Sequence, residues 1–298
     1  MNQKLLMGIY FYPRGGSSQV VRYLYDRLRK QWTSSLYSGS LGDEGLLTNA
    51  KTFYKSMNVR TLDYTTAHST WKRGEDPFDI DSPMQASLED RVNVPDTLMA
   101  RLTPQQISRQ IASWRHLFSK EPNEPAIAHL HHITPMHNAV LQLWKKTKVI
   151  THLHGTELKM IEYIRSNLDL PLGRWWIKQM VSNAQISELV ITVSPHDRDL
   201  ARDLLSIPKD KVITIPNGVD LKIFKPTTLT DKVKMSYWKH WLITDPQGWK
   251  PDHDPGSIRY KQNDLKSFYN PDGSCAPILL FVGRFTTFKQ SPSIRLCK

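Results

Sequence analysis

Short apolar runs alternate with segments of helical period along most of this chain, and that alternation leaves few folds open. Lys4 to Tyr12 reads as a buried strand that ends at Pro13. Gly15-Gly16-Ser17-Ser18 then opens a helix in which Val20, Val21, Leu24, Tyr25 and Leu28 recur at helical spacing. The order returns downstream: a strand from Ala126 to His131, then a helix capped by Thr134-Pro135 that carries Val140, Leu143 and Trp144. Lys148 to Leu153 is the next strand, with a helix from Thr156. Leu189 to Val193 is another, and Ser194-Pro195-His196-Asp197 starts its helix with a capping box. Lys211 to Ile215 follows, closed by the turn Asn217-Gly218. Strands and helices alternating in this way predict an α/β fold, a doubly wound parallel sheet covered by helices on both faces.

Two stretches interrupt the rhythm. Thr65 to Asp96 is polar and rich in Asp, Pro and Ser, and reads as a long surface loop or insertion. After it, Thr103-Pro104-Gln105-Gln106 supplies a helix start, with Ile107, Ile111, Trp114 and Phe118 as the buried face. Residues 226–277 hold Trp238, Trp241 and Trp249 among Pro, Gly and Asp, and read as a linker or insertion. Ile278 to Val282 is one more buried strand, followed by Gly283-Arg284. The expected division is therefore a first domain over 1–225, a linker over 226–277 and the stub of a second domain over 278–298. A lone strand and a short tail cannot bury a core, since even marginal domains need about 40 residues.

Composition narrows the partners. A hydrophobic content of 39% with 10% aromatics is that of a folded domain with a core. Forty Lys and Arg against 28 Asp and Glu give a formal charge of +12, which favours anionic partners or is a solvated basic surface. No run of five like charges occurs, which argues against a nucleic-acid tail. Cys275 and Cys297, the only cysteines, have no CxxC spacing, so neither a disulfide framework nor a zinc site is expected and a reducing cytoplasm fits. No stretch approaches the roughly 18 apolar residues of a membrane span, and the first residues are too short an apolar run for a signal peptide.

In a parallel sheet, ligands bind beyond the carboxyl ends of the strands, and the unusual residues collect there. Gly15-Gly16 follow the first strand, where they would present backbone N–H groups to a phosphate or simply make a tight turn. They match neither GxGxxG nor GxxxxGK[ST], which disfavours a nicotinamide dehydrogenase. His131 and His132 end one strand, His154-Gly155 the next, then Ser194-Pro195 and Asn217-Gly218. Six of the 11 histidines fall between His129 and His154. HxH on a strand puts two imidazoles on one face, as a metal site would, but the nearest carboxylate is Glu157 and structural histidines are the expectation. His154 stands apart, placed either to donate a hydrogen bond into the cleft or to cap the next helix. Arg284 and Lys289 follow the last strand, as two cations for a diphosphate leaving group or as solvated charges.

Taken together, the Gly15-Gly16-Ser17-Ser18 loop, Thr151-His152-Leu153-His154-Gly155-Thr156-Glu157, Ile191-Thr192-Val193-Ser194, Ile215-Pro216-Asn217-Gly218-Val219-Asp220 with Phe224, and Phe281-Val282-Gly283-Arg284 with Lys289 resemble the GT-B glycosyltransferases of family 4. The likeness covers most of residues 1–290, and the segment from Asp245 through Tyr260 is similar to an insertion in some bacterial members. It implies a Rossmann-like acceptor-side domain and retaining transfer of a sugar from a nucleotide-sugar donor to an acceptor. It implies that Gly15 and Gly16 lie by the donor diphosphate and the acceptor. His154 would be the catalytic-site residue against the donor sugar. Arg284, Lys289 and Asn217 would bind substrate, and neither a cofactor nor a metal would be needed. The family's second Rossmann-like domain, with two glutamates eight positions apart, is essentially missing. A frameshift or truncation would explain the tail from Ser291 to Lys298, and this chain alone is expected to transfer little. The implied partners are the nucleotide-sugar, an acceptor, a separate donor-domain chain and the anionic inner face of a membrane. The acceptor-binding half of a split transferase and a metallohydrolase built on the histidines are the alternatives.

Overall fold

A strand buried on both faces commonly reads as a continuous apolar run rather than an alternation, and Lys4–Ile9, with five of its six residues buried, is such a strand. In the computed structural model of the protein, which describes residues 4–278 except 92, 249, 251, 252 and 255, it is β1. There follow α1 (Gly15–Leu28), β2 (Thr33–Ser40), α2 (Ala50–Phe53), β3 (Val59–Asp63), α3 (Thr65–Lys72), α4 (Pro104–Phe118) and β4 (Ile127–His131). Then come α5 (Pro135–Leu143), β5 (Lys148–His152), α6 (Thr156–Ser166), α7 (Gly173–Ile186), β6 (Leu189–Thr192), α8 (Pro195–Leu205) and β7 (Val212–Thr214). The seven strands pair in the order β3-β2-β1-β4-β5-β6-β7, all parallel, as the alternation predicts. The chain winds outward from β1 one way and restarts at β4 the other way. The switch point, where a doubly wound sheet opens a crevice, therefore lies between the ends of β1 and β4.

The predicted starts of α4 and α8 are observed. Thr103 and Gln106 form a reciprocal capping box, and Ser194 accepts the Asp197 backbone N–H. Ile107, Trp114 and Phe118 are buried, with Ile111 packed against the same core.

Strands β2 and β3 and helix α7 carry no such signal. Strand β2 reads TSSLYSGS, yet its last six residues are buried. Its hydroxyls are satisfied inside: Ser40 accepts the Ala50 N–H at 3.0 Å and Ser38 donates to the Gly39 carbonyl at 2.8 Å. Gly39 has no room for a side chain, because the backbone that follows β1 runs close by. A Cβ on Gly39 would come within 2.7 Å of the Tyr10 carbonyl oxygen and 2.8 Å of the Tyr12 nitrogen. At Gly8 the added atom would meet only the Met136 and Leu130 side-chain ends. Gly39→Ala is expected to cost about 1–3 kcal/mol and Gly8→Ala less. Urea unfolding of the two variants gives the order, and equal costs would contradict it.

The stretch from Thr65 to Asp96, read as a surface loop or insertion, is only partly at the surface. It begins as α3, and residues 84–88 are all buried. In its buried part, several polar groups bond inward. The Tyr10 hydroxyl accepts the Ala86 N–H at 2.7 Å and donates to Gln110 at 2.8 Å, while Gln110 Nε2 donates to the Met84 carbonyl at 2.5 Å. Polar composition here reflects hydrogen bonding within the core.

The described residues group into two units, divided at Gly218. The stretch read as a linker has structure of its own: α9 (Asp231–Lys239), capped by Thr230, one π-helical turn over His240–Thr244 and a 3-10 turn over Gln262–Phe268. Trp238 and Tyr260 set their rings 5.4 and 6.4 Å from that of Phe268. The strand expected from Ile278 lies, from 279 onward, outside the described residues. Among the described residues no helix is long and apolar enough to cross a membrane.

Candidate functional site

The end of β1 is held open by its own backbone and by a buried ion pair. Gly15, the first residue of α1, takes φ +73°, a conformation that favours glycine, and among the described residues no atom beyond the adjoining residues and the helix's own backbone lies within 4 Å of where a Cβ on Gly15 or Gly16 would stand. That leaves exposed backbone at a helix N-terminus, which suits an anion. Arg14, just before the pair, donates to Asp96 Oδ2 at 2.6 Å and to the Tyr12 hydroxyl at 3.1 Å, and Arg91 closes on the same carboxylate oxygen. Burial works against the Arg14 charge and Asp96 more than restores it, so its pKa is raised. Tyr12 N–H donates to Gln85 Oε1 at 2.9 Å. The loop is thus pinned by a segment more than 70 residues away. Arg14, Gln85 and Asp96 were not singled out from sequence, because an ion pair between residues so far apart leaves no local spacing.

Strand period and register build the second part. Side chains two apart on a strand share a face, and in the β4–β5 register His131 pairs with His152. His129, His131 and His152 therefore lie on one face, the one that carries Met7 and Ile9 of β1, since Met7 pairs with His129 and Ile9 with His131. All three are buried. Ring centroids are 4.8 Å apart for His129–His131 and for His131–His152, and His154 stacks on His152 at 4.7 Å with the planes 4° apart. One ring nitrogen of each of His129, His131 and His152 lies within 4.8 Å of the others. Burial, reinforced by His152, pushes His129 down to about 3, and burial brings His152 to about 4. His137 faces the other way, with Nε2 against the Thr151 hydroxyl at 2.9 Å, and burial lowers it to about 4.

At the end of β4, His132 takes φ +65°, a strained conformation for a residue with a side chain. Its N–H donates to the His152 carbonyl at 2.9 Å, and its Nδ1 meets Glu157 Oε1 at 2.5 Å. Glu157, fully buried, also accepts the His154 backbone N–H at 3.2 Å. Burial would push this carboxyl up, but the His132 ring and the backbone donors hold it below the usual range. The carboxylate nearest the histidines in sequence is thus their partner in space.

His154 is half-buried, and its Nε2 meets His131 Nδ1 at 3.0 Å, so this nitrogen faces the buried row rather than an open cleft. Nor is it the helix cap, because Gly155, at φ +84°, occupies that position of α6. Rings still link it to the glycine loop: His154 lies 4.6 Å from His132, His132 5.1 Å from Phe11, and the Arg14 guanidinium 5.7 Å from the Phe11 ring. Gly15, Gly16 and His154 are thus parts of one edge. Asn217 lies beyond β7 on the same edge and is exposed, and no described hydrogen bond ties it to His154 or the glycines. Arg284 and Lys289 lie outside the described residues.

Among solved structures, the catalytic domain of starch synthase IV from Arabidopsis thaliana, bound to ADP and acarbose, is similar with a TM-score of 0.50 and 13% identity, over 83% of this chain and 60% of that one. Sucrose-phosphate synthase from Thermosynechococcus elongatus has a TM-score of 0.47 and 13% identity, over 76% and 50%. The chain thus spans about half to three fifths of the length of these structures. No curated protein matches it by sequence. The sequence model described as Glycosyltransferase Family 4 matches residues 14–223, from the residue before the glycine pair to just past Asn217-Gly218-Val219-Asp220. With more than two thirds of its length matched and a seven-stranded parallel sheet of Rossmann type beneath the match, the chain belongs to the GT-B glycosyltransferases of family 4.

Proposed function

We propose that this chain is the acceptor-side half of a retaining glycosyltransferase that moves a sugar from a nucleotide-sugar donor to an acceptor. The open backbone of Gly15 and Gly16 at the N-terminus of α1 supports this most directly, because it offers unblocked N–H groups to a phosphate or a sugar hydroxyl. In this reading His154 contacts the donor sugar, held in place by His131 on its ring and Glu157 on its backbone. Arg284 and Lys289 hold the donor diphosphate and Asn217 contributes to substrate binding. Fixed cations stabilise the charge that grows on a departing diphosphate, so no metal is required. The ADP held by the starch synthase, a protein of the same fold, agrees with a nucleotide-sugar donor. The donor domain with its paired glutamates is supplied from outside residues 1–298, and this chain alone binds substrate but transfers little. The formal charge of +12 suits phosphorylated substrates and contact with the anionic inner face of a membrane.

Gly16→Leu tests the reading without disturbing the fold. No atom lies within 4 Å of the added Cβ, and leucine is a better helix former than glycine. Saturation-transfer NMR of the wild-type chain against UDP, ADP, their glucose conjugates and sugar phosphates is expected to detect weak binding. Gly16→Leu is expected to abolish it while leaving the melting temperature equal or higher. Binding that Gly16→Leu leaves intact, or no binding by any of the panel, would overturn the assignment of this loop.

A further inference from the structure

The face of the sheet that carries His129, His131 and His152 is apolar on β1, where Met7 and Ile9 occupy it, and turns polar at β4 and β5. His129 Nε2, His131 Nε2 and both ring nitrogens of His152 are buried without a hydrogen-bond partner among the described residues. Each such group costs about 1–3 kcal/mol if it stays unpaired, and apolar side chains would fill the same space without that cost. Four unmatched nitrogens on three adjacent rings therefore call for a common partner. Among the described residues this is the one trio of His, Cys, Asp or Glu whose donor atoms could close on an ion.

We propose that His129, His131 and His152 form a binding site for a divalent transition-metal ion, Zn2+ foremost, through three imidazole nitrogens on the buried face of the sheet. The donor set decides the class of ion. Ca2+ and Mg2+ take oxygen ligands, whereas neutral imidazoles suit Zn2+, Co2+, Ni2+ and Cu2+. A tetrahedral Zn2+ accepts such nitrogens at about 2.0–2.1 Å, so the rings, now stacked with their planes 11–23° apart and their nitrogens up to 4.8 Å from one another, turn as well as close on the ion. His131 already has the outer hydrogen bond that such a ligand uses. Its Nδ1 meets His154 Nε2 at 3.0 Å, which lets Nδ1 carry the proton and leaves Nε2 free to bind the ion. The same hydrogen bond passes the effect on: a loaded His131 fixes the orientation and tautomer of His154. The ion is structural, joining β4 to β5 and holding His154 in place. The site is separate from the sugar-transfer reading and stands without it.

The test uses the intact chain, stripped with EDTA and dialysed against Zn2+ or Co2+ alone. One equivalent per chain is expected, with a higher melting temperature. His152→Leu is expected to weaken binding more than about 100-fold, beyond the roughly 10–100-fold that loss of an outer hydrogen bond causes in His154→Phe. His116→Gln, remote from the trio, leaves the affinity unchanged. Should His152→Leu fail to fold, X-ray absorption on the loaded wild-type chain decides by counting imidazole ligands around the metal. Less than one equivalent, unchanged affinity in folded His152→Leu, or an oxygen-dominated shell would each overturn the site, leaving the imidazoles to buried water.

Discussion

In metal-free buffer the chain is expected to unfold cooperatively between pH 6.5 and 4, and to be unfolded at pH 4. Burial holds His129 near 3 and His137 and His152 near 4, against about 6.5 for an exposed imidazole. Above pH 6.5 these rings are neutral in both folded and unfolded chains, so protonation costs nothing. As pH falls below 6.5 the unfolded chain takes up protons that the folded chain refuses, and stability declines until the folded-state values are reached. At pH 4 each of the three has cost about 3 kcal/mol. Their sum is comparable with the whole stability of an ordinary domain, about 5–15 kcal/mol. Tryptophan fluorescence and far-ultraviolet circular dichroism from pH 7.5 to 3.5 give the midpoint. His129→Leu removes one of the protons and is expected to move it to lower pH. A chain fully folded at pH 4 would show that the three rings are not buried as described.

The sheet was legible where apolar runs carry it, and illegible where packing replaces hydrophobicity. Strands β1, β4, β5, β6 and β7 follow from short, mostly apolar runs, and Thr103 and Ser194 announce their helices by cap chemistry. Strand β2 could not be found that way. Nearby backbone leaves no room for a side chain at Gly39, and backbone groups bond the hydroxyls of Ser38 and Ser40, a tertiary condition with no local trace. The same applies to residues 84–88, where the Met84 carbonyl, Gln85 Oε1 and the Ala86 N–H are matched by Gln110, Tyr12 and Tyr10. At the site, strand-end position was enough to pick out the glycine pair and His154, because a parallel sheet delivers all its carboxyl ends to one edge. What His154 touches was not legible. Two-residue periodicity puts His129 and His131 on one face, but adding His152 requires the β4–β5 register, which only the folded sheet supplies.

Glu157→Leu is expected to destabilise the chain by about 3–5 kcal/mol and Glu157→Gln by about 1–3 kcal/mol. The carboxylate is fully buried and sits in the first turn of α6, where the helix dipole favours negative charge. Leucine matches the volume but leaves His132 Nδ1 and the His154 N–H without their acceptor in the interior. Glutamine keeps a carbonyl oxygen that can serve one of the two, hence the smaller loss. A second effect separates this residue from an ordinary core position. His132 holds φ +65° while its ring is bonded to Glu157, and its ring in turn packs on His154 and Phe11. Once the acceptor is lost, the strained residue can relax and the two rings that join the glycine loop to His154 separate. Glu157→Gln, still folded, should therefore shift the amide resonances of Gly15, Gly16 and His154 in NMR spectra, whereas Gly8→Ala, a perturbation elsewhere in the core, should not. If Glu157→Gln loses stability but leaves those resonances in place, the carboxylate serves packing alone and the edge is organised by something other than the His132–Glu157 bond.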